Sequence, residues 1–171
     1  MLSIKKCTVP SQALLSKYSL DGMYADSYRT ELPGHIPLPI FVFAFYTTAL
    51  FKLEQFILTY TIRRPSNNAQ AKELANGIRN EFAAWTVESR SENELLMCDM
   101  IGRTCSWFMV DHSGVEGNAR TQLYFGSAVV PRKDPRTGKT SLGFVYHSLL
   151  GFHKIYSVLL LYSAKMKLDR R

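Results

Sequence analysis

The chain has 171 residues, 46% hydrophobic and 20% charged, a composition that suits one domain with a single core and excludes intrinsic disorder. A formal charge of +7 favours anionic partners, but the basic residues fall in short scattered clusters such as Lys5-Lys6, Arg63-Arg64 and Arg132-Lys133, with no reading motif, so nucleic-acid binding is not expected. Cys7, Cys98 and Cys105 form no CxxC pair and no zinc-type spacing with histidine, which argues against a metal site and against a disulfide framework.

Residues 1–20 read as an irregular N-terminal segment with a short helix near 12–18, and residues 21–171 as a single domain. The first lysines are followed by no continuous apolar run before a small-residue cleavage site, so no secretory signal is expected and the cytoplasm is the default location. Alternation over 26–32, closed by Pro33-Gly34, predicts a strand. Pro37 and Pro39 then delay a helix to 40–62, which Arg63-Arg64-Pro65 stops. Lys52 and Glu54 interrupt its apolar run, leaving about a dozen continuous positions against the ~20 that a bilayer span needs. A short helix follows at 68–75, with Ser66, Asn67 or Asn68 as N-cap and Gly77 as the stop.

The period then changes. Segments 81–90, 94–99, 103–112 and 121–131 are rich in aromatic and β-branched residues, and short loops separate them, as in an antiparallel meander. Cys98 and Cys105 can face each other across one hairpin of it, although separate buried thiols are the expected state. A turn at 133–139 leads to a helix at 147–168. On its wheel Leu149, Phe152, Ile155, Tyr156, Leu159, Leu160, Tyr162 and Met166 form one apolar arc, which is expected to cover the sheet. Lys154 lies inside this helix and would cost ~3 kcal/mol at a bilayer centre, so no transmembrane segment is expected. Leu150, Val158 and Leu161 fall outside the arc and are expected to be scattered surface apolar residues; the alternative is that, with Lys165, Lys167, Arg170 and Arg171, they outline a surface for a partner or for weak contact with anionic membranes.

This order of elements resembles the helix-grip fold of the START, polyketide-cyclase and birch-pollen-allergen superfamily. Within it the chain is similar to a bacterial domain-of-unknown-function family, through ADSY at 25–28, the apolar helix after it, and LLGFHKIYS at 149–157 with Leu159-Leu160. The resemblance implies an α+β fold in which a curved antiparallel sheet wraps a long C-terminal helix, with helices after the first strand. Five strands are legible against the superfamily's usual seven. A chain that ends in a helix fits this fold better than the cone-shaped fold of nuclear-transport-factor-like isomerases, which ends in strands.

The resemblance also implies a cavity between sheet and helix for a hydrophobic or amphipathic small molecule, lipid or polyketide-like. Its wall candidates are Trp85, Trp107, Met109, Tyr124 and Phe125 from the strands, and Phe152, Tyr156 and Leu159 from the helix; plain core packing is the alternative for each. No nucleophile elbow, phosphate loop, HExxH or dinucleotide fingerprint occurs, and no cofactor is expected. An enzyme of cyclase, isomerase or hydrolase type would rely on His153, in the FH pair, as acid or base. Asp26, with Ser27 and Tyr28, is either a carboxylate for the pocket rim or a strand-start side chain capping its neighbour, and Thr104 and Ser106 face either a ligand or water.

Overall fold

The computed structural model describes residues 4–19, 23–52, 66–100, 102–115, 117–130, 132–133, 140–141 and 144–170, and no side chain between 131 and 153. Its elements run β1 (Lys5–Cys7), a short 3-10 helix (Leu14–Ser19), β2 (Tyr24–Pro33), α1 (Leu38–Tyr46), α2 (Asn68–Ala75), β3 (Glu81–Phe82), β4 (Trp85–Arg90), β5 (Glu94–Asp99), β6 (Thr104–Ser113), β7 (Arg120–Val129), β8 (Arg132–Lys133), β9 (Thr140–Ser141) and α3 (Phe144–Leu168). The fold is α+β: an open antiparallel sheet of seven strands in the order β1-β2-β7-β6-β5-β4-β3, with a C-terminal helix packed on β2, β7 and α1.

The seven-stranded sheet holds two more strands than the sequence pattern shows, while β8 and β9, at the ends of the expected turn, pair with each other in a separate two-stranded sheet. Residues 5–7 lie in the segment expected to be irregular, yet they pair with 27–29 of β2. The expected strand 81–90 is cut in two because Ala83 adopts a positive φ of 53°, a turn conformation that separates β3 from β4.

The expected helix over 40–62 is also interrupted. It starts at Leu38, two residues before the expected position, with Pro37 as N-cap and Pro39 in the first turn, and α1 ends at Tyr46, where Thr47 and Thr48 turn their hydroxyls back to the carbonyls of Phe43 and Phe45. Such back-bonding competes with the next helical turn. Helix resumes over 49–52, and 53–65 lie outside the described residues. By contrast α2 spans the predicted positions. Asn67 and Gln70 close a reciprocal capping box, Gly77 takes a positive φ of 75° just past the end, and Arg90 reaches from β4 to the carbonyls of Leu74 and Ala75.

Strand alternation divides the sheet into two buried faces. One carries Leu95, Met97, Phe108, Val110, Leu123, Phe125, Tyr28 and Leu32 against the helices. There Phe41, Phe45 and Tyr46 of α1 meet Phe108 in tilted or edge-to-face contacts of 4.8 to 5.7 Å between ring centroids. The back face carries Leu96, Cys98, Cys105, Trp107, Tyr124 and Ala128, and the 3-10 helix closes over it with Leu15 fully buried.

The C-terminal helix presents a different side from the expected one. Ser157, Leu160, Leu161, Ala164 and Leu168 are buried, whereas Ile155 and Leu159 are 62% and 41% exposed. At about 100° per residue the buried stripe is turned roughly 140° from the predicted arc, and Leu160 is common to both. Size is part of the difference: two of the five buried positions are the small Ser157 and Ala164, which a wheel weighted by hydropathy discounts.

Candidate functional site

The side-chain rows of the helix-facing side can be followed across the strands. Asp26 of β2 stands opposite Ser127 of β7, Ser127 opposite Ser106 of β6, and Ser106 opposite Met97 of β5. The neighbouring row runs Tyr28, Phe125, Phe108 and Leu95. Thus a polar row crosses the middle of an otherwise apolar face, beside a row that is almost wholly aromatic.

A pocket of about 180 Å³ opens above the polar row. Thr104, Ser106 and Ser127 form its floor, Phe45, Tyr46, Phe51, Trp85 and Phe125 its sides, and Tyr156, Ser157 and Leu160 of α3 its roof. Small side chains on the floor, with Ser157 in the roof, leave the space open, while bulky rings at the sides keep it apolar.

Behind the floor lies the carboxylate of Asp26, 4% exposed. Ser127 Oγ donates to its Oδ1 at 2.7 Å, and the hydroxyls of Tyr24 and Tyr28 donate to Oδ2 at 2.8 and 3.4 Å. Three donors on one buried carboxylate supply the hydrogen bonds its burial demands. Burial, then the charge and hydrogen bonding of Asp26, pushes the Tyr28 hydroxyl up to about 12, so it remains a donor at neutral pH. Because Ser127 spends its one proton on Asp26, its oxygen presents acceptor lone pairs.

The expected wall residues separate by strand parity. Trp85, Phe125 and Tyr156 line the pocket. Trp107, Met109 and Tyr124 belong to the back-face cluster, because on β6 and β7 they alternate with the pocket-facing residues. Leu159 points outward. The side chains of Phe152 and His153 lie outside the described ones, and the acid-base role expected of His153 therefore has no geometry to report. Asp26 lies behind the floor rather than at the rim, and Ser27 faces the other way, donating to the Cys7 carbonyl. Ser127 and Ser157 were not singled out from the sequence. The signal for Ser127 was its parity with Phe125 on a strand that pairs with Asp26.

Two other expectations change. Cys98 and Cys105 are not separate thiols; they stand directly opposite on β5 and β6 and are joined as a disulfide, leaving Cys7 free. Lys167, counted toward a membrane-facing basic cluster, instead donates to the carbonyl and hydroxyl of Thr47 at 2.8 and 2.6 Å, which ties α3 to the end of α1. Arg170 is exposed and Arg171 lies outside the described residues. Among the described residues no helix is long and apolar enough to cross a membrane. No protein-family model, curated protein or solved structure matches the chain.

Proposed function

We propose that this chain is a helix-grip domain of the START-like class that binds a small amphipathic molecule between its sheet and C-terminal helix. Strand order supports the fold reading: the first long strand, β2, returns beside the last, β7, after two helices and a meander, and the final helix covers that seam. The observation that carries the binding reading is the polar row of Ser106 and Ser127, backed by Asp26, beneath an aromatic enclosure. Ligand pockets combine apolar walls with a few placed polar groups in this way.

Volume narrows the ligand. A pocket of about 180 Å³ is smaller than the ~300 Å³ usual for drug-sized ligands and close to the ~150 Å³ cavity that holds one benzene ring. The fitting compound is a compact ring system bearing a hydroxyl or amine for the polar floor, a polyketide-like fragment rather than a long acyl chain.

Native mass spectrometry of protein purified without denaturation is the first test, followed by titration of hydroxylated aromatic compounds read by the fluorescence of Trp85, which borders the pocket. Saturable binding that is lost in Ser106→Phe, a change that fills the space from its floor, is the expected result. Binding untouched by Ser106→Phe, or no saturable binding at all, would refute the proposal.

A further inference from the structure

A second cluster of reactive groups has its side chains on the back face of the sheet, and one of its members, Cys105, also borders the pocket. Cys98 and Cys105 are neighbours across β5 and β6, and Glu88 reaches them from β4. Glu88 sits at the register irregularity between Val87 and Ser89, where the ladder leaves it without a partner across the strand pair. Its carboxylate and the two sulfurs lie within 4.8 Å of one another.

Opening the disulfide gives the same three groups a second chemistry. Cys98 Sγ lies 2.7 Å from Glu88 Oε2. A disulfide sulfur carries no proton, so this pair forms a hydrogen bond only when Cys98 is reduced, and a cation can then take the place of the shared hydrogen.

We propose that Glu88, Cys98 and Cys105, with both cysteines reduced, form a binding site for a thiophilic divalent cation of the zinc class. Two thiolates and one carboxylate, each from a different strand, make a three-ligand set that leaves the fourth tetrahedral position to water or another ligand. With metal–sulfur bonds of about 2.3 Å, the two sulfurs of a tetrahedral site stand about 3.7 Å apart, a separation that directly opposed strand positions reach without moving the backbone.

The surroundings fit the charge. The three ligands carry three negative charges against two on the metal, and the Lys17 ammonium, which pairs with Glu88 Oε1, supplies the balance. Tyr18 donates to Oε2 at 2.7 Å and holds the carboxylate in place, the outer support that metal ligands commonly need. Cys98 and Cys105 are 8% and 1% exposed, so entry is from the Glu88 side, where that side chain is 29% exposed. The N-terminal 3-10 helix, through Lys17 and Tyr18, forms the cover.

The disulfide and the metal site exclude each other. An added dithiol delivers two electrons and two protons, breaks the Sγ–Sγ bond to leave two thiols, and closes to its own disulfide. Metal binding then releases the two thiol protons to solvent.

The full chain, reduced with dithiothreitol and freed of it by anaerobic desalting, is titrated with Co²⁺ and then with Zn²⁺. The expected result is one equivalent of Co²⁺ with a thiolate-to-metal charge-transfer band, displaced by Zn²⁺, present in Cys7→Ser and absent from the oxidised protein. Glu88→Gln keeps the band but binds at least ~10-fold more weakly. The oxidised wild type serves as a control that needs no substitution, which guards against Cys98→Ser failing to fold. A reduced protein without the band, equal binding by oxidised protein, dependence on Cys7, or undiminished affinity in Glu88→Gln would each overturn the three-ligand site.

Discussion

Gly126 is the position at which the back face is most sensitive to a single methyl group. It stands on β7 opposite Trp107 and Ser27, and a Cβ built there would meet Leu15 Cδ2 at 2.7 Å, the Asp26 carbonyl at 2.8 Å and Trp107 Cε3 at 2.9 Å. Two of the three neighbours cannot yield easily. The carbonyl belongs to the adjacent strand, and the indole is anchored by Nε1 donating to Glu94 Oε2 at 2.7 Å. Overpacking of this kind costs ~1–3 kcal/mol. Replacing a strand glycine with alanine returns roughly 0.5–1 kcal/mol of backbone entropy. With three contacts under 3.0 Å the packing cost belongs in the upper half of its range, ~2–3 kcal/mol, and setting ~1 kcal/mol of entropy against it leaves a net loss for Gly126→Ala of about 1–2 kcal/mol.

For a domain of this size that loss lowers the melting temperature by roughly 2–8 °C, at ~2–4 °C per kcal/mol. It moves the urea midpoint down by about 0.5–1 M, with a slope near 2 kcal/mol/M. Urea unfolding followed by tryptophan fluorescence is the assay. Leu15→Ala removes the nearest of the three contacts, so part of the penalty should disappear when Gly126→Ala is made in that background. A midpoint that is unchanged or higher would mean that the 3-10 helix yields at no cost, and would refute the close packing of Leu15 on the sheet.

Two further outcomes follow from groups outside the pocket. Arg90→Met, which keeps much of the aliphatic stem, removes both guanidinium bonds to the C-terminal carbonyls of α2 and should cost about 1–3 kcal/mol in urea unfolding; full retention of stability would show that solvent replaces those bonds freely. His112, stacked on His35 with ring centroids 3.9 Å apart, has its pKa lowered by burial and then by the neighbouring imidazole, with Asp111 and Glu92 opposing the shift. Its contribution is then fully present above the unfolded value of ~6.5 and is lost as pH falls below it, because the unfolded chain binds the proton more readily. Unfolding curves from pH 7.5 to 5 should fall less steeply for His112→Gln than for the parent chain, and identical slopes would remove His112 as a cause.

Much of the secondary structure was legible because its signals are local. Asn67, Gln70 and Gly77 mark both ends of α2, and the aromatic and β-branched runs mark β5, β6 and β7. The pocket was less legible for a physical reason. When a sheet is buried on both faces, alternation shows that neighbouring residues part company, but it does not say which of the two faces holds the space. Trp107 and Tyr124 drew attention by size and face the back, while Thr104, Ser106 and Ser127 form the floor because they are small. The same bias toward bulk misplaced the face of α3, where the small Ser157 and Ala164 are buried and Ile155 and Leu159 are exposed.

The termination of the sheet has its own consequence. Strands β6 and β7, each ten residues long, lie inside it, while the outermost strands are β1 with three residues and β3 with two. An open edge of unpaired amides is a template on which another chain can add a strand. Here the outermost strands are only two or three residues long, and β1 carries the exposed Lys5 and Lys6, which repel a like copy at neutral pH. The chain can thus keep a sheet that is open at both ends, with its apolar strands in the middle, and still resist edge-to-edge growth into larger aggregates.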